Sequence, residues 1–578
     1  MAEAIALALL GSIGVTGTAA VAITTAVIGA AISIGASLVA QMLMPKPEMT
    51  PSDRQNLVKL PIMPRVRHYG RVRVGGARVF EQARAGILYR VTAHGHGEID
   101  AIEEHLIQDE VLTLNPSGGV TTPAKWAGLI TVSTRNGVPA PAHYTTLESA
   151  FADWDSTHTG KGVQSSLVTM AQVEQEVYLD FYPNGINTSY KQTLRGARVW
   201  DPRDPAQSKD DAATWQWSDN AILIALDHFR HETGFGLPDE WITPELDSWK
   251  AAADAADETV ALKYGGTEPR YRASGSYSFD ERPADVGQRI LAASNARVWV
   301  GASGGIACSA GVWSAPTVVI DDAAIESYQI GAGNEGPDVV NAVSAVFTDP
   351  LRDFTETQCQ AWTDAGSVAR FGVKRSPPAP LYMVPSNGQC RRLMKQALAQ
   401  LSPAWRGRIV TNLRGLPALS ERFIRIEIGE LGLSFTAEIA DVQFVIEQGT
   451  VVRGVSIEFI SMDAATFAWN AAAEEGDQFP VPPTIGTSDV PQVAGFGVVK
   501  TAPTATASWS AYASPAYQAS IEFRVNGTIP WLLAPVPATG ATSLVISGLT
   551  AGTTYQFRAR TLTGSRSSAY SSIVNLTM

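Results

Sequence analysis

The sequence has little of what a nucleic-acid-binding or disulfide-stabilised protein needs. Its 578 residues carry 44 Lys+Arg against 56 Asp+Glu, a formal net charge of -12. Because binding to a nucleic-acid backbone requires a basic face, this balance does not support a dedicated nucleic-acid-binding protein. The three cysteines, Cys308, Cys359 and Cys390, are distant in the sequence and form no CxxC pair, so neither a disulfide framework nor a zinc knuckle is indicated.

Sequence signatures of the common enzyme classes are also missing. There is no GxSxG elbow, no HExxH, no Walker loop and no GxGxxG after a strand. Carboxylate pairs of the glycosidase kind do occur, but such a pair acts only in a cleft at a defined separation, so we interpret them as solvated strand ends or helix caps. The pairs are Asp321-Asp322, Asp353 with Glu356, and Glu474-Glu475. We expect no enzymatic activity and no cofactor.

Two closely spaced histidines raise the question of a metal site. In the segment His94-Gly95-His96-Gly97-Glu98 the two imidazoles would share one face of an extended strand, with Glu98 as a further ligand. The glycines favour a turn, and no third well-spaced ligand is evident. We therefore interpret the segment as a solvated turn and expect no metal.

The composition is that of a folded protein with several domains. Hydrophobic residues make up 45%, aromatic residues 8% and charged residues 17%, which excludes a disordered chain and suffices for real cores. A single compact core is not expected at this length, because cores stop growing at about 250–300 residues.

Charge is absent from one long stretch near the N-terminus. Residues 4–45 contain no charged side chain, and Glu3 and Lys46 bracket the run. A continuous helix of this length would reach about 63 Å, twice a bilayer core, so the run predicts two spans or a broken helical hairpin. Gly11, Gly14 and Gly17 are the expected break.

The apolar run permits more than one function. It predicts either a buried anchor that oligomerises within its own assembly or a segment that enters a membrane at some stage, since small residues among Ile and Val allow close helix packing. A cleaved signal is disfavoured, because the start lacks a positive region and the run is too long. The residues expected to face a channel or a membrane are Ile5, Leu9, Ile13, Val21, Ile28, Ile32 and Leu38.

The remaining chain predicts an α+β, multidomain protein with β-rich parts and inserted helices. Helical spacing of apolar residues predicts helices over 220–233, 245–262, 285–295 and 389–401, and alternation predicts a strand over 177–182. The predicted domains are the apolar segment 1–48, a β-rich domain 49–205, an α+β subdomain 206–300, a β-rich domain 301–478, a proline-rich linker 479–491 and a β-sandwich 492–578.

Arginines are concentrated just after the apolar run. Arg65-Val66-Arg67 and Arg71-Val72-Arg73-Val74, followed by Gly75-Gly76, predict a hairpin with one apolar and one basic face. We favour Arg65, Arg67, Arg71 and Arg73 as a protein interface that docks on an acidic neighbour. With Arg78 and Arg84 the cluster is also dense enough for phosphate contacts to DNA, and an ordinary solvated face is the third alternative.

The last 90 or so residues predict a β-sandwich. Short alternating strands surround Trp509, the expected core tryptophan, and Leu549 precedes a turn that leads to Tyr555. This leucine–turn–tyrosine arrangement is similar to the corner of fibronectin type III domains, with Trp509, Leu549 and Tyr555 in the core. Such a module implies a spacer or a binding unit and no chemistry.

Several further segments carry a second resemblance. Residues 265–271, the predicted helix 285–296 and the strand 297–300 resemble tail-tip hub proteins of long-tailed siphophages, the host-specificity protein J-like or central tail hub family. Residues 338–343 and 347–350 are similar to that family's strand and Asp-Pro turn, and residues 369–372 are similar to its Ala-Arg-Tyr-Gly segment. Residues 69–76 resemble the family's entry hairpin. The resemblance spans about 215–470 and then the fibronectin-like module.

The resemblance implies a virion structural protein at the tip of a phage tail. It implies β-barrel-rich hub domains with inserted helices. It also implies a homotrimeric hub that closes the tail tube and docks on the distal tail protein, the tape-measure protein and other tail-tip or fibre proteins. Genomic DNA would pass through the hub, and an acidic wall would repel it. Family members with long C-terminal fibre regions use them to bind receptors. For this protein, either this chain or another subunit would recognise the receptor. The uncharged segment 4–45 would plug the tube or enter a host membrane on ejection.

Two other functional classes remain open at this stage. One is a secreted polysaccharide-active enzyme with an accessory fibronectin domain, which should retain a pocket with paired acids. The other is a membrane-anchored surface adhesin, in which residues 4–45 lie in the bilayer of the producing cell.

Overall fold

The computed structural model describes residues 50–58, 63–182, 184–301, 303–333, 339–447, 451–476, 490–512, 517–528, 530–538, 540–563, 566–568 and 570–578. Strands account for 41% and helices for 21% of the described residues, in several separate sheets, in agreement with the predicted α+β, multidomain class. The apolar segment 4–45 and its seven predicted channel or membrane residues lie outside the described residues. Among those described, no helix is both long and apolar enough to cross a membrane.

The first part of the fold consists of two sheets and three short helices. One sheet has the order β1-β4-β5-β10-β9, and the other has the order β12-β11-β6-β7-β8 with β3 also paired to β11. The elements are α1 Pro51–Arg54, β1 Leu57–Val58, β2 Val66–Tyr69, β3 Arg71–Val74, β4 Gly76–Arg84, β5 Ile87–His96, β6 Ile99–Ile107, β7 Glu110–Leu114, β8 Val120–Thr122, β9 Ile130–Asn136, α2 Thr145–Ala150, β10 Val163–Ala171, α3 Tyr178–Phe181, β11 Tyr190–Val199 and β12 Gln216–Trp217.

The predicted hairpin between β2 and β3 is wrong. The two strands do not pair with each other; β2 pairs with β15, Gly275–Ser278, and β3 pairs with β11. The chain turns at Gly70, where φ is +60°, and the Gly70 carbonyl accepts a hydrogen bond from the Gly196 amide at 2.7 Å. A Cβ at Gly70 would collide with the Ala273 carbonyl, so this close crossing requires glycine. Two consecutive strands are thereby sent to two different sheets.

The predicted strand over 177–182 is also wrong, since Tyr178–Phe181 is a single helical turn. Tyr178 and Tyr182 lie one turn apart with ring centroids 5.6 Å apart, and both join an apolar cluster built around Trp126 and Ile130. Packing of these aromatic side chains on one face overrides the strand preference of the local sequence.

The middle part carries the predicted helices. The elements are α4 Ala221–Arg230, α5 Leu246–Asp257, β13 Thr259–Ala261, β14 Thr267–Pro269, β15 Gly275–Ser278, α6 Pro283–Ala292, β16 Arg297–Val300 and β17 Ile306–Ser309. Asn220 caps α4, because its side chain accepts hydrogen bonds from the Ile222 and Leu223 amides. Helix α5 ends at Asp257, before the predicted end at 262, and Thr259–Ala261 forms a strand with β14 instead.

The third part combines a large sheet with a central helix. The sheet has the order β18-β26-β27-β28-β25-β19, and smaller sheets flank it. The elements are β18 Val319–Ile320, β19 Ile325–Ala332, β20 Ala342–Val343, β21 Ala345–Asp349, β22 Thr355–Gln358, β23 Trp362–Thr363, α7 Ala365–Phe371, β24 Ala379–Leu381, α8 Asn387–Leu401, β25 Trp405–Thr411, β26 Phe423–Ile428, β27 Leu433–Glu447, β28 Val451–Ser461 and α9 Ala471–Glu474.

One apolar core connects these parts. It contains Tyr69 from β2, most of α4, Trp249 from α5, Ile290 from α6 and Leu393 from α8, all 2% exposed or less. The predicted domain borders at 205/206 and 300/301 are therefore crossed by a shared core, and α8 packs with the helices of the middle part.

The C-terminal part forms two sheets around a separate apolar core. The orders are β29-β30-β33 and β32-β31-β34-β35, with β36 paired to β34. The strands are β29 Gly497–Thr501, β30 Thr504–Ser508, β31 Gln518–Val525, β32 Leu532–Leu533, β33 Ser543–Ile546, β34 Thr554–Thr563, β35 Arg566–Ser567 and β36 Val574–Thr577.

Candidate functional site

The predicted arginine interface is largely buried inside the chain. Arg67 is 7% exposed and Arg73 is 8% exposed, so neither offers a basic surface to a partner, which corrects the expectation for these two residues. Arg65 is exposed, and Arg71 is partly exposed beside Glu103. We expected the acidic partners of these arginines to come from another subunit. For Arg67, Arg71 and Arg73 the same chain provides them.

Arg67 forms the first of two buried connections between distant parts of the sequence. Its Nη2 donates to Asp227 Oδ2 at 2.9 Å, and the Tyr69 hydroxyl donates to the same oxygen at 2.6 Å. Burial disfavours the charge on Asp227, but Arg67, His231 and the hydrogen bonds outweigh burial and lower the pKa of this carboxyl. The ion pair joins β2 to the middle of helix α4.

Asp227 is a functional candidate that the sequence patterns did not single out, although its position within an apolar helix could have indicated it. Helix α4 is buried from Ala221 to Phe229, and Asp227 is the one acidic residue within that stretch. A carboxylate surrounded by apolar neighbours needs a cationic partner when it is buried, since an unpaired buried charge is costly. The partner's identity, Arg67, could not be read from the sequence because the two residues are 160 positions apart.

Glu438 makes the second buried connection. Its carboxylate is fully buried and lies 3.1 Å from Arg297 Nε and 2.9 Å from Arg422 Nη2. Gln400 adds a hydrogen bond at 3.1 Å. Burial raises the pKa of Glu438, but the two arginines and the hydrogen bonds outweigh it, so that its pKa is lowered overall. The cluster joins β16 of the middle part to strands β26 and β27.

Arg73 is held by three groups from different elements. Its guanidinium donates to Thr193 Oγ1 at 3.0 Å, to Asp353 at 2.8 Å and to Glu104 at 3.2 Å. Asp353 therefore serves as a structural partner of Arg73. Glu356, the other member of that predicted carboxylate pair, accepts a hydrogen bond from the Ser52 amide at 2.9 Å.

Arg78 and Arg84, the further arginines considered for phosphate contacts, also have partners within the chain. Arg78 pairs with Glu81, and the Arg84 guanidinium donates to the Ala150 carbonyl.

The remaining predicted carboxylate pairs have structural contacts too. Asp322 accepts from the Gly429 amide at 3.0 Å, and Asp321 accepts from the Ala324 amide at 3.1 Å. Glu474 pairs with Lys395 at 2.7 Å, and Glu475 accepts from the Lys263 amide at 2.6 Å. Glu475 is 1% exposed and its partner is 212 residues away, which corrects its interpretation as a solvated strand end or helix cap.

The two histidines considered as metal ligands belong to strand β5. His94 is 4% exposed, which corrects its interpretation as part of a solvated turn. Its Nδ1 donates to the Gly75 carbonyl and its Nε2 accepts from the Ser166 hydroxyl at 2.8 Å. Both ring nitrogens are thus engaged. Within the described ranges, no group of three or more His, Cys, Asp or Glu has metal-binding geometry.

Three buried histidines and the half-buried His231 are kept neutral by their surroundings. Burial lowers the pKa of His68, His228 and His231 to about 4 and that of His94 to about 3. His231 Nδ1 accepts from the Thr233 amide at 3.1 Å, which requires an unprotonated nitrogen.

Two cysteines that are distant in the sequence come together in the fold. Cys359 and Cys390 form a hydrogen bond between their thiols, and both are buried and reduced. Burial raises the pKa of the Cys390 thiol, and the hydrogen bond from Cys390 lowers that of Cys359. Cys308 is buried elsewhere in the main core.

The predicted core residues of the C-terminal part lie in one cluster. Trp509 is 5% exposed and Tyr555 is 6% exposed, and Leu549 packs against the same apolar cluster. The Tyr555 hydroxyl accepts a hydrogen bond from the Thr550 amide at 3.1 Å. The tyrosine thus fixes the turn that precedes its own strand.

A polar cleft that the sequence analysis did not predict lies beside the main core. Its volume is about 390 Å³, and its lining residues come from β3, β12, β14, β21 and the start of α8. Three arginines, three carboxylates and a tryptophan line it: Arg71, Arg272, Arg352, Asp219, Glu268, Asp349 and Trp217. We call this the Asp219–Asp349 cleft.

Two carboxyls of the cleft have raised pKa values. Burial raises the pKa of Asp219, with Arg272 3.8 Å away as only partial compensation. Burial also raises the pKa of Asp349, which accepts a hydrogen bond from the Leu351 amide at 2.9 Å. Glu268 differs, because Arg392 at 3.0 Å and the Ser386 hydroxyl at 2.6 Å bind its carboxylate.

Comparison with known proteins identifies no family for this chain. No family model matches the sequence, and no curated protein matches it significantly. A chain of the "virion of native gene transfer agent (GTA) particle" is similar in structure, with 13% identity, a TM-score of 0.47, and coverage of 81% of this chain and 98% of that chain.

Two smaller structures match about the length of one small domain. One, described as a myokine structure, has 17% identity and a TM-score of 0.14, and covers 15% of this chain and 93% of its own. The other, an Fn3-like protein from Clostridium thermocellum, has 18% identity and a TM-score of 0.14, with 15% and 92% coverage. Similarities at this level establish no function.

Proposed function

We propose that the chain is a virion structural protein that forms a trimeric hub at the tip of a phage tail. The hub closes the tail tube, docks on the distal tail and tape-measure proteins, and opens for DNA ejection. The uncharged segment 4–45 plugs the channel or enters a host membrane, and residues 492–578 form a fibronectin type III module.

One observation carries the proposal: the segments that resemble hub proteins meet in a single core. Tyr69, Tyr271, Ile290, Val298 and Phe347 come from five separate stretches of that resemblance, and all belong to the same apolar cluster. Residues that resemble one family and share one core support a common fold more strongly than scattered motifs do.

The charges of the chain also suit a structural part of a virion. Buried pairs such as Arg67–Asp227 and Arg297–Glu438 connect segments that are distant in the sequence. Such connections suit a structural protein of a virion. The acidic excess of 56 Asp+Glu over 44 Lys+Arg suits a wall along which DNA slides without sticking.

The mass and location of the full chain test the proposal. We expect the purified full chain to have three times the mass of one chain by native mass spectrometry, and deletion of residues 1–48 to weaken the trimer. Electron cryomicroscopy of the virus-like particles made by cells that produce this protein should place it on a three-fold axis at a tail tip. A full chain that is monomeric and present as a single copy in such particles contradicts the proposal.

One observation supports the alternative function, a polysaccharide-active enzyme. A polysaccharide-active enzyme needs two acids in a cleft, one of them with a raised pKa, and Asp219 and Asp349 satisfy the chemical part of that requirement. None of the carboxylate pairs predicted from sequence contributes to this cleft. Release of reducing ends from polysaccharides by the isolated chain, lost on Asp349→Asn, would favour the enzyme over the hub.

A further inference from the structure

We propose that the Asp219–Asp349 cleft binds a short segment of a neutral oligosaccharide. The proposal rests on the cleft alone and applies to a hub and to an enzyme, so its failure leaves the proposed function untouched. The cleft's volume of about 390 Å³ falls within the range of about 300–1,000 Å³ typical of small-molecule sites.

The charges of the cleft favour a neutral ligand. Arg71, Arg272 and Arg352 would repel a cation, while Asp219, Glu268 and Asp349 would repel an anion. A hydroxyl group avoids both penalties, because it donates to a carboxylate and accepts from a guanidinium at the same time. A ligand with many hydroxyl groups can therefore use both kinds of side chain.

The cleft also offers apolar surface for the C–H face of a sugar ring. Trp217 lies in the wall with its indole nitrogen 3.4 Å from the Gly70 carbonyl, and the Arg195 guanidinium lies 5.4 Å from the centre of its ring. Leu351, beside Pro350, is 64% exposed at the rim. A sugar ring has polar hydroxyl groups at its edge and apolar C–H groups on its faces. The carboxylates and guanidinium groups of the cleft suit the edge, and the apolar side chains suit a face.

Saturation-transfer NMR on the full chain tests the proposal with defined probes. Maltotetraose, cellotetraose, mannotetraose and chitotetraose are the neutral probes, and tetragalacturonate is the anionic one. We expect saturable binding of at least one neutral tetrasaccharide and at least ten-fold weaker binding of the anionic probe. No saturable binding of any neutral probe, or preferential binding of tetragalacturonate, overturns the proposal.

Variants locate the binding. Asp219→Asn and Asp349→Asn should each weaken binding of the neutral probe at least ten-fold while thermal unfolding stays unchanged. The matched control is Asp247→Asn, since the Asp247 side chain on helix α5 is 95% exposed and lies outside the cleft lining. Binding that survives both cleft substitutions overturns the proposal.

A measurement on the unaltered chain covers the case in which a variant fails to fold. Hydrogen–deuterium exchange with and without the bound tetrasaccharide should show added protection at residues 349–352 and 385–387. Protection confined to the C-terminal part, residues 490–578, overturns the assignment to this cleft.

Discussion

Arg67 and Asp227 lie 160 residues apart in the sequence, and their side chains meet at 2.9 Å in a site where both are more than nine-tenths buried. The pair fastens strand β2, which follows the apolar segment, to helix α4 in the main core. A movement that separates β2 from α4 has to break a buried ion pair, so the two elements are expected to move as one body.

Loss of the Arg67 charge should therefore destabilise the protein strongly. Arg67→Met leaves the Asp227 carboxylate buried with the Tyr69 hydroxyl, and we expect a loss of about 3–5 kcal/mol in the free energy of unfolding. Denaturant unfolding of the full chain measures this. Arg425→Met is the control, since Arg425 and Glu427 form a pair that is about half exposed, and its cost should stay within about 0.5 kcal/mol.

A double variant separates the ion pair from simple loss of packing. Arg67→Met combined with Asp227→Leu removes both charges, so its cost should be clearly smaller than the sum of the two single costs. Strict additivity would mean that Arg67 and Asp227 do not interact energetically.

The buried histidines predict a stability that depends on pH. Their pKa values lie at about 3–4 in the folded protein, against about 6.5 in the unfolded chain, so the unfolded state binds more protons between these values. The free energy of unfolding should be constant above about pH 6.5 and fall between pH 6.5 and 4. Each histidine contributes up to about 1.4 kcal/mol per pH unit in this window.

Equilibrium unfolding at a series of pH values measures this dependence. His228→Gln should reduce the slope by the share of one histidine, because glutamine keeps an amide donor for the Pro283 carbonyl but takes up no proton. A free energy of unfolding that is unchanged from pH 7 to 4.5 would contradict the expected neutral burial of these side chains.

The hydroxyl of Tyr555 should stabilise the C-terminal part through the turn before its strand. Tyr555→Phe removes the acceptor of the Thr550 amide and should cost about 1 kcal/mol in the free energy of unfolding of this part. Thr550→Ala is the matched control. It keeps the backbone amide that donates to Tyr555, and Thr550 is exposed, so loss of its side chain should cost little. Equal costs for the two substitutions would show that the hydrogen bond contributes nothing.

The thiols provide a direct check of the main core. Cys308, Cys359 and Cys390 are all buried and free, so Ellman's reagent should titrate none of them in the native chain and three in denaturant. Rapid reaction of two thiols under native conditions would contradict the packing of helix α8 against residue 359.

Local pattern was sufficient for the four longest α-helices and for part of the strands. The apolar stripe at Ala221, Ile222, Ala225 and Phe229 predicted α4, which Asn220 caps, and alternation predicted four of the eight described strands of the C-terminal part. These elements follow from the spacing of side chains along a short stretch of chain. The sequence failed where packing from elsewhere decided the outcome, as with Tyr178–Phe181, which forms a helical turn on the Trp126 cluster.

The sequence by itself determined composition, acidity, the uncharged run at 4–45, the α+β class and the order of the elements. Tertiary structure alone decided that Arg67 and Arg73 are buried, that β2 and β3 separate at Gly70, and that Asp219 and Asp349 line one cleft. The physical reason is that burial and charge pairing depend on which distant segments come into contact. Periodicity along the chain fixes the face of a residue but does not identify the residue that it meets.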